Sequence, residues 1–335
     1  MMLASVRISA ATLRHGQAHE ARGEFSVALA CYDEVVASLR VLPLDDAETR
    51  RLLGVAWMNR GNALQKQNEF ATAVLAYDEA IALLRELPPT SAHRNRLGAA
   101  WLNRGHALLS HAATEATRSF KQAIAILGEL PLEENPAYGL NLAGAWTNLA
   151  HTEIASAPTR ARASAATAIN VVLAAASDDL ACAEMSLRAR RALVMALGEL
   201  LRVAESARQP IDALADEASG AIDSGLAIAC AWEGRGIAHL RPLALRLFRL
   251  GAQLYRVHQP HFLSEFLLEN LDPTRPNTFA RDPEFRTAAA DALAAALTEL
   301  VRPRLLVADA PESMRLLETV HDLRAAQRRL AEISA

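Results

Sequence analysis

Trp57-Met-Asn-Arg-Gly-Asn-Ala-Leu64 returns 44 residues later as Trp101-Leu-Asn-Arg-Gly-His-Ala-Leu108. A degraded copy, Trp146-Thr-Asn-Leu-Ala-His-Thr-Glu153, follows after 45 more. Repetition at a fixed period marks an array of stacked supersecondary units. Each of the first two copies is followed by a second helical pattern closing on proline, Phe70 to Pro88 and Ala116 to Pro131. Upstream, Gly16 through Phe25-Ser-Val-Ala-Leu-Ala-Cys-Tyr32 to Pro43 fits the same frame without the tryptophan. Four copies in register are a poor match to chance.

The pattern resembles the tetratricopeptide repeat family. The residues that carry the resemblance are Trp57, Gly61, Leu64, Ala73, Tyr77, Ala80 and Pro88, then Trp101, Gly105, Leu108, Ala116, Phe120, Ala123 and Pro131. Small residues at 61, 73 and 80 let two antiparallel helices approach, and Trp57 and Tyr77 fill the space between them. The resemblance covers residues 11–178 and implies four helix pairs there. The period is longer than the family's usual ~34. The extra residues precede each tryptophan, as in Asp46 to Ala56, and are helix formers without proline. They predict a first helix lengthened to ~22 residues, about 33 Å.

Beyond 178 the signal fades. Leu197-Gly198-Glu-Leu-Leu201 and Leu250-Gly251-Ala-Gln-Leu254 echo the motif, each before another helical stretch, at 211–229 and 260–271. Residues 179–271 are therefore expected to be degenerate helix pairs. Asp272 to Pro283, with three prolines, predicts a break. Residues 283–335 are expected to form capping helices, the last with Leu316, Val320, Leu323 and Leu330 on one side and Arg324, Arg328 and Arg329 off it. The expected architecture is all-α, a right-handed solenoid of antiparallel helix pairs with a helical C-terminal cap.

Composition excludes several classes. Hydrophobic residues make up 51% and charged residues 22%, which suits a folded chain rather than a disordered one. A net charge of −3 gives no footing for nucleic acid or an anionic membrane. Lysine occurs only as Lys66 and Lys121, a bias that suits a GC-rich bacterial genome. The three scattered cysteines, Cys31, Cys182 and Cys230, spell neither a disulfide framework nor a zinc site and suit a reducing compartment. The start lacks a signal-peptide core, and the most apolar stretch, Ala165 to Ala176, is interrupted by Asn170. A cytoplasmic location is expected.

On each first helix the tryptophan, glycine and leucine occupy one side. Asn59, Asn62 and Lys66 lie nearly opposite, followed in the next copies by Asn103, His106 and Ser110, then Asn148, His151 and Ala155. The first copy offers Arg14, Gln17 and Ala21. An amide both donates and accepts, so it can pair with any peptide backbone. The resemblance adds that asparagine at 59, 103 and 148 lines the inner surface of peptide-binding arrays. These amides are expected to be open to solvent. The competing expectation is that they merely bond a neighbouring helix. His106 and His151 lie too far apart, at a helix-packing distance of 8–10 Å, to share a metal without a third ligand. His15 and His19 lack the glutamate of a His-Glu-x-x-His site and are expected to be surface residues. Arg60 and Arg104 are expected in structural ion pairs with second-helix acids such as Glu79. The amphipathic run Arg241 to Leu254 is expected to pack in a core.

Catalytic signatures are absent: no phosphate loop, no Gly-x-Ser-x-Gly elbow, no recognisable cysteine–histidine pair. The expected function is that of a non-enzymatic scaffold or adaptor, chaperone-like in character. It would bind another protein or peptide in a concave groove through Asn59, Asn62, Lys66, Asn103, His106, Asn148 and His151, with Gln65 helping to set preference. No cofactor, metal, nucleic acid or membrane is called for, and a homo-oligomer is compatible. The alternative is an effector or enzyme regulated by the repeats, with its pocket in residues 180–335 marked by convergent acids or histidines.

Overall fold

The computed structural model describes residues 2–175, 178–272, 279–280, 282–301 and 310–334. The described residues form α-helices joined by short turns, with one 3₁₀ turn at Ala238–Leu240 and no strand. The chain divides into two compact units, Met1–Glu153 with Asn170–Ser177 and Ile154–Ile169 with Asp178–Ala335.

The first unit is built from tetratricopeptide-like pairs: α1 (Met2–Ala21) with α2 (Phe25–Arg40), α3 (Ala47–Lys66) with α4 (Phe70–Arg85), and α5 (Ser91–Leu108) with α6 (Ala113–Leu127). Next comes α7 (Pro136–Glu153), whose Gly139 meets Val171 and Ala175 at the far end of α8 (Pro158–Ala174). The first pair begins at Met2 and not near residue 11, because Val6 and Leu13 both bury in the α1–α2 core and carry the helix back two turns. The lengthened first helices are real but run 18 to 20 residues.

Glycine sets how closely each pair packs. A Cβ on Gly16 would stand 2.5 Å from the Tyr32 ring, on Gly61 2.6 Å from Tyr77, and on Gly105 2.5 Å from Phe120. All three rings are wholly buried. Seven residues earlier a second notch repeats the device, Gly54 beneath Leu84 at 3.1 Å and Gly98 beneath Leu127 at 2.5 Å. Two notches two turns apart thus receive two knobs two turns apart, Tyr77 with Leu84 and Phe120 with Leu127. The residues that lengthen the period are those that carry the second notch. The turn after α1 needs Gly23 at φ +77, and the matching turn after α3 uses Asn68 at φ 64. There the Glu24 and Glu69 amides donate back to His19 and Leu64 at 3.0 and 2.9 Å, closing the helix ends.

Charge joins one pair to the next. Arg60 Nε donates to Asp33 Oδ1 of α2 at 2.6 Å, and Arg104 Nε to Asp78 Oδ1 of α4 at the same distance. The guanidinium groups lie 5.4 Å over Trp57 and 5.7 Å over Trp101. The acid is Asp78 and not Glu79, so the ion pair spans neighbouring pairs. Trp57, Trp101 and Trp146 are half-buried and pack against the cores of adjoining helices.

The second unit holds α9 (Leu180–Ser206), α10 (Asp212–Gly234), α11 (Arg241–His258), α12 (Pro260–Leu271), α13 (Pro283–Val301) and α14 (Ala310–Ser334). The run expected to pack in a core does so: α11 buries Leu245, Leu247, Phe248 and Leu254 and touches α9, α10, α12 and α13. Gly251 receives Phe266 at 3.0 Å, so the echo at 250 is a true notch. The echo at 197 is not, since nothing lies within 4 Å of where a Gly198 Cβ would stand. Of the break expected over 272–283, residues 273–278 and 281 lie outside the described residues; α12 ends before it and α13 begins at Pro283. Helix α14 rests on α12 and α13 through Val320, Leu323, Ala326 and Leu330, with Arg324, Arg328 and Arg329 exposed.

Candidate functional site

The polar row of the first helices forms a hydrogen-bonded seam. Asn103 Nδ2 on α5 donates to Asn62 Oδ1 on α3 at 3.0 Å. The Tyr77 hydroxyl lies 2.9 Å from Asn62 Oδ1 and 3.0 Å from Gln65 Oε1 and donates its single proton to one or the other. Burial pushes that phenol far above its ordinary pKa, so it stays a donor at any physiological pH. The Gln65 amide meets His106 Nδ1 at 2.5 Å. With the amide donating, the ring proton sits on Nε2, which remains a donor.

Exposure varies along the row. Lys66 and His106 are exposed; Asn62, Asn103, Asn148 and His151 are half-buried. His151 Nδ1 bonds the Thr147 carbonyl oxygen one turn back at 2.8 Å. Asn59 corrects the expectation of open amides, because it is 6% exposed. Asn103, at the same place in the repeat, points back to the preceding first helix. Asn59 has Gln17 of α1 at the place in the preceding repeat that Asn62 holds for Asn103. Its Nδ2 has no hydrogen-bond partner. The bond Asn103–Asn62 also shows that part of the row stitches neighbouring helices together. A second stitch, Asn141 Nδ2 to Asn95 Oδ1 at 2.9 Å, lies toward the N-terminal ends of α7 and α5 and had no signal beyond helix-compatible spacing.

His15 is exposed, and His19 is engaged in the α1–α2 turn, with Nδ1 2.5 Å from Glu24 and 2.9 Å from Arg22. Among the described residues no group of three or more histidines, cysteines and acids is placed to hold a metal ion, and no helix is long and apolar enough to cross a membrane.

The second unit does contain convergent acids. A cavity of 260 Å³ is lined by Asp216, Asp223, Glu265 and Glu269, with Ser219 Oγ 2.6 Å from the Tyr255 hydroxyl and Phe262 at its edge. Its lining holds no histidine, cysteine or basic residue. Burial pushes the Cys230 thiol, elsewhere in α10, up to about 12, with help from Glu233, which suits a core residue and not a nucleophile.

Partial burial, then the charge of Glu269, hold the Asp223 carboxyl above its ordinary value, against a hydrogen bond from Ser219 that lowers it. Such an acid binds its proton more tightly folded than unfolded. Stability therefore falls as pH rises from the ordinary aspartate value through the raised one. Asp223→Asn is expected to remove that loss and raise the melting temperature at pH 7 by about 1–2 °C, with little change below pH 4. Circular-dichroism melts at the two pH values decide it; no gain at pH 7 contradicts the assignment.

No family model matches the chain, and no curated protein does. Several solved structures are similar. The apo form of RapI is 13% identical over 97% of this chain and 99% of that one, with a TM-score of 0.46. The S. pombe nuclear import adaptor Nro1 is 12% identical over 96% and 99%, with a TM-score of 0.45. A tetratricopeptide repeat protein from Parabacteroides merdae is 11% identical over 93% and 98%, also at 0.45. At such identities, and with TM-scores under 0.5, these likenesses add nothing to the packing described above.

Proposed function

We propose that the chain is a cytoplasmic adaptor that holds a partner polypeptide along the polar row of its first unit and performs no chemistry on it. The observation that carries this is the seam from Asn103 through Asn62 and Gln65 to His106. It lies on the first helices, is held in place from behind by Tyr77, and ends in exposed Lys66 and His106. A row of fixed amides and imidazoles offers donors and acceptors to a peptide backbone at low entropic cost. Asn62 and Asn103 present their remaining hydrogen-bonding capacity, Asn148 and His151 extend the row, and Lys66 adds a charge at one end. Buried Asn59 is part of the floor and not a contact.

The combined variant Lys66→Ala, His106→Ala, Asn148→Ala is the test. Affinity capture from the native organism is expected to lose the partner by at least about tenfold, since contacts of this kind are each worth about 1–3 kcal/mol where buried. The melting temperature is expected to stay within about 2 °C, because these side chains carry little of the fold. Retention of the partner by the triple variant overturns the proposal.

The acid-lined cavity of the second unit keeps one other reading alive, an effector pocket in residues 180–335. It gathers four carboxylates beside the hydroxyls of Ser219 and Tyr255, groups that can serve as general acid and base.

A further inference from the structure

Helices α9 and α11 of the second unit run side by side in the same direction. Near one end Glu184 of α9 meets His239, on the turn leading into α11, at 3.6 Å. At the other end Glu205 stands 2.8 Å from His258. Arg191 lies seven residues on from Glu184, and Arg246 lies seven on from His239. The two arginines therefore share one level of the seam, where each is within reach of the other's charge. Arg191 is half-buried and Arg246 is exposed.

Neighbouring charges along the seam are matched. Arg188 pairs with Glu184 at 2.5 Å, and Arg202 pairs with Glu199 at 2.9 Å. Among the described residues the guanidinium groups of Arg191 and Arg246 form no ion pair and no hydrogen bond. Burial, then Arg246, then Arg188, hold the Arg191 group below its ordinary pKa, and no carboxylate acts the other way. An arginine stays protonated all the same, so the fold carries the cost of two unmatched cations side by side. A local conflict of that kind is expected where a chain binds something.

We infer that Arg191 and Arg246 form a site for an acidic segment of a partner polypeptide, two carboxylate side chains spaced as acid-x-acid. This rests on the reading of the chain as a polypeptide-binding protein and adds a contact in the second unit. Charge complementarity chooses the acids. Two unmatched guanidinium groups are offset by two carboxylates, and each planar fork fits one of them. Helix packing chooses the spacing. Axes of packed helices lie about 8–10 Å apart. An extended chain crossing them turns every second side chain to the same side, about 7 Å apart. A single small anion would instead have to draw both cations onto one centre, against their repulsion.

The experiment uses the full-length chain and two short fluorescein-labelled peptides, one with Glu-Ala-Glu at its centre and one with Gln-Ala-Gln, followed by fluorescence anisotropy. The glutamate peptide is expected to bind at least about tenfold more tightly, the worth of charge-assisted contacts over neutral ones. The double variant Arg191→Gln, Arg246→Gln is expected to erase that preference. Its melting temperature is expected to hold or rise, because a like-charge contact has been removed; a merely structural pair would give a fall. Should the double variant unfold, Arg246→Gln alone, at an exposed position, is expected to show a partial loss. Arg249→Gln, exposed on α11 three residues away, is expected to leave binding unchanged.

Equal binding of the two peptides overturns the choice of an acidic partner. A preference that survives the double variant, or that falls equally in Arg249→Gln, overturns the site. Release of the peptide by inorganic phosphate, but not by potassium chloride at the same ionic strength, overturns the paired carboxylates in favour of a single small anion. The peptides report on this seam whether or not the row of the first unit holds a partner. Peptide binding alongside an unaltered capture by the Lys66, His106, Asn148 variant would sink the adaptor row and leave this site standing.

Discussion

Truncation of Phe120 to alanine is expected to lower the stability of the first unit by about 3–5 kcal/mol, the usual cost of emptying a large aromatic site in a core. Phe120 is wholly buried, seated in the Gly105 notch and packed among Leu108, Ala116 and Leu149, with Trp146 and Leu102 at the edge. It thus touches its own pair and the next one, so the cavity it leaves opens on two interfaces. The notch makes the loss worse, since Gly105 has no side chain that could move into the gap. Urea unfolding followed by circular dichroism is the measurement, with Leu75→Ala as the control. Leu75 is 67% exposed and is expected to change stability by no more than about 0.5 kcal/mol. Equal losses for the two substitutions would show that the notch is not filled as described.

Ending the chain before α14 is the second large effect. Val320, Leu323, Ala326 and Leu330 are buried against α12 and α13. At roughly 1.5–3 kcal/mol for each of the larger apolar side chains, their removal takes on the order of 5 kcal/mol or more from the second unit. It also presents the apolar faces of α12 and α13 to water, the condition under which repeat arrays without a terminal cap associate. Light scattering after size-exclusion chromatography is expected to show aggregates at concentrations where the full chain runs as a single species. An unchanged profile would mean that α14 is a free tail.

The repeat was legible because it is written in identities. Trp57, Gly61 and Leu64 recur as Trp101, Gly105 and Leu108, each 44 residues on, and such a recurrence needs no structure to be seen. The second notch, Gly54 beneath Leu84, was not legible, since a glycine and a leucine thirty residues apart belong to no motif. The polar row could be placed on the first helices, but its exposure could not be read. Asn59 and Asn103 are the same residue at the same repeat position, yet one is buried and unpaired and the other bonds Asn62. What differs is the matching residue of the preceding repeat, Gln17 on α1 or Asn62 on α3. The acid-lined cavity lay out of reach because its carboxylates come from two helices without repeat symmetry, Asp216 and Asp223 on α10 and Glu265 and Glu269 on α12.

The ion pairs between neighbouring helix pairs carry a consequence for how such a chain can lengthen. The second pair receives its predecessor through Arg60 and presents Asp78 to its successor. The third receives through Arg104, but Lys121 stands where Asp78 stood, and the following helix has Leu149 in place of the arginine. A tandem duplication of the second pair would join Asp78 of one copy to Arg60 of the next and extend the array without a charge out of place. A duplicated third pair would set Lys121 against Arg104 and meet its neighbour with repulsion. Growth by duplication is thus favoured by charge at residues 45–88 and opposed by it one pair later.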